Sequence, residues 1–335
     1  MDTVIDVIIP CRNAAPQLLE TLDMLQRQQA RIRTVTLMDT LNADGSSGIT
    51  GPGGTVHISA GDLAVRYPFV RIVPVPACQF DHGGTRDLGA SLSKDAGFLL
   101  FMTQDAVPRG ADLTARLLEG FTRGSGGSGA GDGRTAVVYA RQIAAADSTE
   151  CEKLSREFSY PETSRRQTQA DVPSLGVRAY FCSNVCAMYD AEIFRKLGGF
   201  IHRTIFNEDM IYAGRALQAG YAVYYEAEAG VEHSHRYSAR QQFSRSFDLG
   251  VSQADHPEIF GGIRSESEGW KYVRRMTAML RSRGASMEIP GFYAGCAARL
   301  CGYRLGRHYR RLPRTLILRW TMNGNYWRDT DKTVQ

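Results

Sequence analysis

Short apolar segments that end abruptly at polar residues are the main pattern along this chain. The clearest is Phe98–Met102, which lies between a glycine and the polar sequence TQD that ends at Asp105. Such a segment is too short for a typical helix and predicts a strand buried in a mostly parallel sheet. Ligands of open α/β sheets bind beyond the carboxyl ends of the strands. Asp105 is therefore a candidate for holding a metal ion or polar substrate, although it could simply begin a turn before Pro108.

The first forty residues follow the same pattern. It predicts a strand, a helix and a second strand at residues 4–9, 15–29 and 33–38. Each strand ends at polar, turn-rich residues, at 10–13 and at 39–46. This layout is typical of the nucleotide-binding half of an α/β protein.

The remaining chain divides into an α/β part and a helical part. The α/β pattern continues with predicted helices at 61–67, 111–121 and 211–218 and predicted strands at 70–74, 136–141 and 221–225. Residues 124–133 contain a GxGxxG sequence, but no strand is predicted before it and a strand is predicted after it. We therefore interpret this stretch as a flexible loop. From residue 238 onward the chain is predicted to be helical.

Three polar groups in the α/β part are candidates for chemistry. In the sequence HGGTR, residues 82–86, the glycines could bring backbone N–H groups close to a phosphate and Arg86 could add charge, or Asp81 could cap an ordinary helix. Glu208 and Asp209 could cap a helix or form a base site. His233 and His235 would share one face of a strand and could contact one ligand, or be ordinary histidines.

Composition limits the cellular setting. No apolar run approaches the ~18 residues of a membrane-spanning helix, and the amino terminus lacks the basic region of a signal peptide, so we expect a cytoplasmic protein. The seven cysteines lack zinc-binding spacings, and we expect them to be free and mostly buried.

The charge is uneven along the chain. The net charge is only +5, but residues 299–319 are rich in arginine and contain no acid. With Trp320 and Trp327 nearby, this segment could lie at the inner face of the cell membrane, or form a solvated basic face over an aromatic core. No nucleic-acid-binding motif is present, so no nucleic acid partner is predicted.

The order of these motifs resembles that of glycosyltransferase family 2, and within it the bacterial rhamnosyltransferase-like branch. The resemblance covers residues 4–237 and extends more loosely into the tail. It implies the GT-A fold, an α/β fold with a Rossmann-like mixed sheet flanked by helices. It also implies two regions, a catalytic domain at 1–237 and a helical, basic and aromatic region at 238–335 that associates with membrane.

The resemblance further implies a role for each candidate residue. Asp209 would be the general base, and Glu208 would orient the acceptor or cap the helix. Asp105 would bind a divalent metal, Mg²⁺ or Mn²⁺, together with His233 or His235, although Thr103 replaces the first acid of the family's metal motif. The residues implied to contact the nucleotide sugar are Pro10, Arg12, Asp39, Asp44, His82, Gly83, Arg86, Gln104, Ser183 and Asn184.

These roles describe an inverting transfer of a sugar from a nucleotide donor. The branch implies dTDP-L-rhamnose as the donor, with a UDP-sugar as the alternative, and a growing surface polysaccharide or lipid-linked glycan as the acceptor. Because Thr103 weakens the metal motif, a non-catalytic protein that binds sugar nucleotide or polysaccharide is a further alternative. A nucleotidyltransferase is less consistent with the sequence, because no glycine-rich loop follows the first predicted strand.

Overall fold

The computed structural model describes residues 4–14, 16–50, 58–126, 133–235, 237–262 and 269–329. Within these ranges the strands are β1 Ile5–Cys11, β2 Ile32–Thr40, β3 Val70–Val75, β4 Phe98–Met102, β5 Val107–Pro108, β6 Thr135–Ile143, β7 Arg165–Gln167, β8 Cys186–Asp190 and β9 Ala222–Glu232. The helices are α1 Gln17–Gln26, α2 Ala60–Arg66, α3 His82–Ser91, α4 Leu113–Gly124, α5 Glu150–Ser159, α6 Val172–Leu175, α7 Ala191–Lys196, α8 Glu208–Gln218, α9 Ala239–Asp255, α10 Pro257–Phe260, α11 Gly269–Ser282, α12 Ile289–Arg307, α13 Arg314–Trp320 and α14 Gly324–Asp329.

One mixed sheet joins all the strands of the described residues. Its order is β3-β2-β1-β4-β8-β6-β9-β5, and β7 also pairs with β9. The first four strands of this order, β3, β2, β1 and β4, are parallel to one another. Strand β8 runs antiparallel to its neighbours β4 and β6. Because β6 and β9 are parallel, the carboxyl ends of β4, β6 and β9 lie at the same edge of the sheet. The predicted α/β fold is confirmed.

Both faces of β4 are buried, which explains its unbroken apolar sequence. Leu99 and Phe101 belong to one core cluster, and Leu100 and Met102 belong to the cluster on the opposite face. This alternation is the period of two expected for a strand. The predicted central strand is therefore confirmed.

The start of α3 shows the cap that was one of the two interpretations of residues 82–86. The helix begins at His82, and the Asp81 side chain caps it by accepting a hydrogen bond from the Gly84 N–H at 2.6 Å. A Cβ atom at Gly83 would overlap the carbonyl oxygen of Ile201. The capping alternative is confirmed, and Gly83 and Gly84 provide packing and capping rather than an open loop before the helix.

The predicted placement of the two histidines and the predicted burial of the cysteines both differ from the structure. Strand β9 ends at Glu232, so His233 and His235 follow the strand instead of lying on it. The loop predicted at residues 124–133 cannot be compared as a whole, because α4 ends at Gly124, β6 begins at Thr135 and residues 127–132 lie outside the described ranges. All seven cysteines are unpaired, but only Cys11, Cys182 and Cys186 are buried, which is fewer than predicted.

The predicted helical character of the C-terminal region is confirmed by α9 to α14. Helices α9 and α12 pack closely, because Gly302 and Gly306 of α12 lie against the carbonyl oxygens of Phe243 and Phe247. We call this contact the glycine seam. Leu300 belongs to the apolar repeat that begins at Phe292, yet it is 48% exposed. The apolar repeat therefore does not identify the face of α12 that packs against α9.

The tail tryptophans pack into an aromatic cluster, with Trp327 buried and Trp320 half-buried. Trp327 is buried and packs against Tyr309 and Tyr326, and Trp320 packs against Phe243 and Phe247. The aromatic-core alternative is therefore confirmed for these two residues. In the described part of the chain, no helix combines the length and apolar character needed to cross a membrane.

Candidate active site

Asp105, His233 and His235 form a cluster at the edge of the sheet where β4 and β9 end. Antiparallel pairing of Val107 in β5 with Glu232 in β9 places Asp105, two residues before β5, beside the residues that follow β9. His233 Nε2 is 3.6 Å from Asp105 Oδ1, and His235 Nε2 is 3.3 Å from Asp105 Oδ2. Each of the three residues offers one ligand atom, and these atoms lie within 4.8 Å of one another.

The chemistry of this cluster fits a divalent cation. Burial lowers the pKa of His233 to about 3 and also lowers the pKa of His235. Both imidazoles are therefore neutral at pH 7 and carry a lone pair that can bind a metal. One carboxylate and two neutral imidazoles form a common set of metal ligands.

Thr103 directly follows β4 and precedes Gln104 and Asp105. Its N–H donates to the carbonyl oxygen of Val185 at 3.1 Å, and its hydroxyl is buried with no hydrogen-bond partner within the described ranges. The side chains that lie beside Asp105 are those of His233 and His235, which follow β9.

Glu208 and Asp209 open α8 and are held by Asn184, which lies just before β8. The Asn184 side chain donates to Glu208 Oε1 at 3.1 Å, and its backbone N–H donates to Asp209 Oδ2 at 3.1 Å. Asp209 Oδ1 also accepts from the Met210 N–H at 2.8 Å. Tyr189 donates from its hydroxyl to Asn184 Oδ1 at 2.7 Å, which fixes the orientation of the amide.

The two neighbouring carboxyl groups have opposite pKa shifts. Burial favours neutral Glu208, but Arg86, whose Nη1 is 3.1 Å from Glu208 Oε1, together with His82, holds the pKa of Glu208 below its usual value. Burial and the adjacent charge of Glu208 raise the pKa of Asp209 to about 7. A carboxyl group with a pKa near 7 is suited to accept a proton at neutral pH.

Arg86, for which a nucleotide-sugar contact is predicted, lies beside the acid pair in this structure. Its guanidinium is buried between Glu208 and the carbonyl oxygen of His82, to which it donates at 2.9 Å. The His82 ring packs edge-on against Phe80. In this structure the charge of Arg86 therefore balances Glu208.

Gln104 joins the ends of β1 and β4. Its side-chain oxygen accepts from the Arg12 N–H at 2.9 Å, and its Nε2 donates to the Arg12 carbonyl oxygen at 3.1 Å. This two-way contact fixes the turn after β1 beside Asp105. Pro10 lies in β1 in register with Met38 of β2.

Asp39 and Asp44 lie at and beyond the end of β2. Asp39 is buried, and its oxygens accept from the Ser47 hydroxyl at 2.5 Å and the Gly48 N–H at 3.1 Å. Burial, with the charges of Asp39 and Asp105, raises the pKa of the Cys11 thiol, which indicates that Cys11 lies near both acids. Asp44 bonds to Ser46 within its own turn.

Two residues of this region, Gln142 and Arg245, were missed by the sequence analysis. Gln142 lies near the end of β6 and bonds to both His233 and Ser183. As a polar residue at the end of a predicted strand, it could have been found by the rule that identified Asp105. Arg245 of α9 had no such signal, because it is one of many arginines in a helical segment.

The position of Arg245 is electrostatically distinctive. Its exposed guanidinium lies 4.6 Å from the ring centre of Phe206 and 5.8 Å from that of Tyr237. Burial is the main reason that the pKa values of His82, His233 and His235 are lowered, and the charge of Arg245 adds to this effect. Within the described residues Arg245 forms no ion pair, so a positive charge is available close to both parts of the site.

Comparisons with known proteins identify the family. No protein-family model matches the chain. The chain is 33% identical over 326 residues to the O-antigen chain rhamnosyltransferase RfbN of Salmonella typhimurium, with 96% of each chain covered. It is 34% identical over 259 residues to the O-antigen chain rhamnosyltransferase WbaN of Salmonella anatum, covering 76% of this chain and 78% of that protein.

A solved structure supports the fold. The mannosyltransferase PcManGT of Pyrobaculum calidifontis, in complex with GDP-Man and Mn²⁺, is similar with a TM-score of 0.56 at 14% identity, covering 92% of this chain and 88% of that one. The sheet order and this similarity agree with a GT-A-like fold. The extent of the sequence identity shows that the chain is a glycosyltransferase and belongs to the family of the O-antigen chain rhamnosyltransferases.

Proposed function

We propose that this protein is an inverting, metal-dependent glycosyltransferase of family 2. It transfers L-rhamnose from dTDP-L-rhamnose onto a growing surface polysaccharide or its lipid-linked precursor. The observation that carries the mechanism is the placement of Asp209 and the Asp105–histidine cluster at one edge of the sheet. The rhamnose and polysaccharide parts rest on the names of the two Salmonella relatives.

Asp209 is the proposed general base. It takes the proton of the acceptor hydroxyl while that oxygen attacks the anomeric carbon and the bond to the nucleoside diphosphate breaks. A single displacement of this kind inverts the configuration at that carbon. Glu208 is less suited to the same role, because Arg86 and Asn184 already occupy Oε1 and hold its pKa low.

Asp105, His233 and His235 are the proposed metal ligands. A bound divalent cation would neutralise the charge that develops on the leaving diphosphate. Mg²⁺ prefers oxygen ligands, whereas imidazole nitrogen suits transition metals. The two histidines therefore favour Mn²⁺ over Mg²⁺ at this site.

Arg245 is the proposed cationic contact for the diphosphate. It is exposed, has no carboxylate partner within the described residues, and is close enough to affect the pKa of His233 and His235. Arginine binds phosphate oxygens well because its planar group donates several hydrogen bonds. Arg86 is already paired with Glu208 and is less available for this contact.

The donor and the metal are tested together by thermal stability. Melting temperatures are measured with dTDP-rhamnose, UDP-glucose or GDP-mannose, each with Mn²⁺, Mg²⁺ or EDTA, for the natural protein and for Asp105→Asn. A ligand that binds only the folded state at 100 times its Kd stabilises it by about 2.7 kcal/mol. We expect a rise with dTDP-rhamnose and Mn²⁺ that Asp105→Asn loses.

The other outcomes each remove one part of the proposal. A selective rise with a UDP-sugar would replace the donor. An equal rise in EDTA would remove the metal from donor binding. A rise that Asp105→Asn retains would remove Asp105 as a ligand.

We also propose that the region after residue 237 associates with an anionic membrane surface. On α12, Tyr293, Leu300 and Arg304 are exposed on the side opposite the glycine seam. Trp270 in α11 is 80% exposed and Met287 is 94% exposed. Exposed apolar residues beside arginines are typical of helices at a membrane interface.

Sedimentation with vesicles tests this surface. The double variant Trp270→Ala with Leu300→Ala should bind vesicles containing anionic lipid several-fold more weakly, because each change removes exposed apolar area. Val65→Ala is the matched control, because Val65 is an exposed apolar residue of α2, a helix far from α11 and α12 in the sequence. Equal sedimentation of all three proteins would contradict the membrane proposal.

A further inference from the structure

Gln142 is a buried polar residue whose carboxamide contacts four side chains. It is the second-last residue of β6 and is only 3% exposed. Its Nε2 donates to the Tyr160 hydroxyl at 2.5 Å and to Ser183 Oγ at 2.9 Å. Its Oε1 lies 2.5 Å from Arg156 Nη1 and 3.1 Å from His233 Nδ1.

These partners determine the orientation of the amide. A guanidinium can only donate hydrogen bonds, so the oxygen of Gln142 must face Arg156. The amide nitrogen then faces the two hydroxyl groups, which can accept. Because the same oxygen faces His233 Nδ1, this imidazole nitrogen must carry the hydrogen.

The contact between Arg156 and His233 does not change this assignment. Arg156 Nη2 is 3.4 Å from His233 Nδ1, which is longer than the 3.1 Å between this nitrogen and Gln142 Oε1. If Nδ1 carried no hydrogen, two lone pairs would face each other across the shorter distance. With hydrogen on Nδ1, the lone pair lies on Nε2, 3.6 Å from Asp105 Oδ1.

We propose that Gln142 is a positioning residue that fixes His233 as the Nδ1–H tautomer and so presents Nε2 to a divalent metal beside Asp105. This inference rests on the metal site of the proposed function. Hydrogen bonds to the second nitrogen of a ligating histidine fix its orientation and commonly change metal affinity by about 10–100-fold.

The same amide connects the two parts of the site. Ser183, which accepts from Gln142, directly precedes Asn184, whose N–H donates to Asp209. Gln142 thus fixes the position of His233 relative to the segment that holds Asp209. A single buried side chain sets the spacing between the proposed metal ligand and the proposed base.

Two variants of Gln142 separate its acceptor function from its packing. Gln142→Leu keeps the approximate volume but has no acceptor for His233. Gln142→Glu keeps an oxygen that can accept from His233 and Arg156, and the hydroxyls of Tyr160 and Ser183 can rotate to donate to it. Circular dichroism and melting temperature show whether each variant is folded.

Two measurements are made on the full chain. Mn²⁺ affinity is measured by electron paramagnetic resonance, and the tautomer of His233 is read from nitrogen-15 NMR of the imidazoles, assigned with His233→Ala. We expect the Nδ1–H tautomer in the natural protein and in Gln142→Glu, with similar Mn²⁺ affinity. Gln142→Leu should lose the single tautomer and bind Mn²⁺ about 10–100-fold more weakly.

The outcomes distinguish the inference from the function on which it rests. An Nε2–H tautomer in the natural protein overturns the inference without any variant. So does a Gln142→Leu protein with natural Mn²⁺ affinity and tautomer. If the natural protein does not bind Mn²⁺, the proposed metal site fails, while the NMR spectra still report whether Gln142 fixes the tautomer.

Discussion

The candidate site has two acidic clusters, the pair Glu208–Asp209 and the cluster of Asp105 with two histidines, and they differ in how their negative charge is neutralised. Glu208 and Asp209 have a cation from the protein itself, because Arg86 forms a buried ion pair with Glu208. Asp105 has only two histidines beside it as ionic partners among the described residues, and burial keeps both of them neutral. The first region is balanced by an ion pair within the chain, whereas in the second the ligand atoms converge and, among the described residues, no arginine or lysine pairs with Asp105.

This difference assigns a different chemistry to each region. Balancing Glu208 leaves Asp209 as the carboxyl group whose pKa is raised to about 7, which suits proton transfer. Leaving Asp105 without a protein cation suits a site that takes its positive charge from a metal ion. Three substitutions of the acid pair and its support test this comparison, and the first and third have a matched control variant.

Asp209→Asn should have the largest effect, because an amide cannot take the proton of the acceptor. We expect the transfer rate to fall by about 10²–10⁴-fold, the usual contribution of a general base, while donor binding in the melting assay is retained. Glu119→Gln, which changes an exposed acid of α4, is the control. Retention of most transfer activity in Asp209→Asn would remove this residue as the base.

Glu208→Gln should move the pH dependence of transfer. The base acts when deprotonated, so in the natural protein kcat/KM should rise with pH up to about 7, the pKa of Asp209. The charge of Glu208 contributes to that raised pKa, and its removal should shift the rising limb to lower pH. If the rise of kcat/KM with pH occurs at the same pH in Glu208→Gln as in the natural protein, Glu208 does not control the protonation of the base.

Tyr189→Phe should have the smallest effect on catalysis, because Tyr189 supports Asn184 and does not contact either carboxyl group in the described contacts. Loss of its hydroxyl leaves Asn184 Oδ1 without that donor, which should lower the free energy of unfolding by about 1–3 kcal/mol. Denaturant unfolding and transfer rate are both measured, with less than about a tenfold loss of rate expected.

Tyr212→Phe is the control for this substitution. Tyr212 packs 5.0 Å from Tyr189 between ring centres, but its buried hydroxyl has no hydrogen-bond partner within the described residues. Its removal should leave stability unchanged or slightly higher, since no bond is lost. Equal destabilisation by both changes would mean that the hydroxyl of Tyr189 is not what supports Asn184.

The positions that depend on local pattern were predictable from sequence. Phe98–Met102 and the start of α8 follow from apolar spacing, so Asp105, Glu208 and Asp209 could be placed at a strand end and a helix start. The predicted locations of these three residues agree with the structure, while their roles remain predictions.

The contacts between distant segments could not be predicted in the same way. Strand β5 has only two residues, too few for any periodic signal, yet its pairing with β9 brings His233 and His235 to Asp105. The pairing of Arg86 with Glu208 joins two helices that are far apart in sequence. Such contacts depend on the folded sheet rather than on the spacing of residue types.

Hydrophobic spacing was also insufficient for α12. Its contact with α9 is made by glycines, which carry no side chain and so leave no apolar signal. The apolar repeat that includes Leu300 therefore pointed to a residue that is largely exposed.

The glycine seam has a mechanical consequence. Gly302 and Gly306 lie directly against backbone atoms of α9, so at these two positions no side chain separates the helices, and Tyr303 and Arg307 add hydrogen bonds to Gln253 of α9. We therefore expect helices α9 and α12 to move as one rigid body. A membrane or protein surface bound to the exposed face of α12 would therefore fix the distance between that surface and Arg245 of α9.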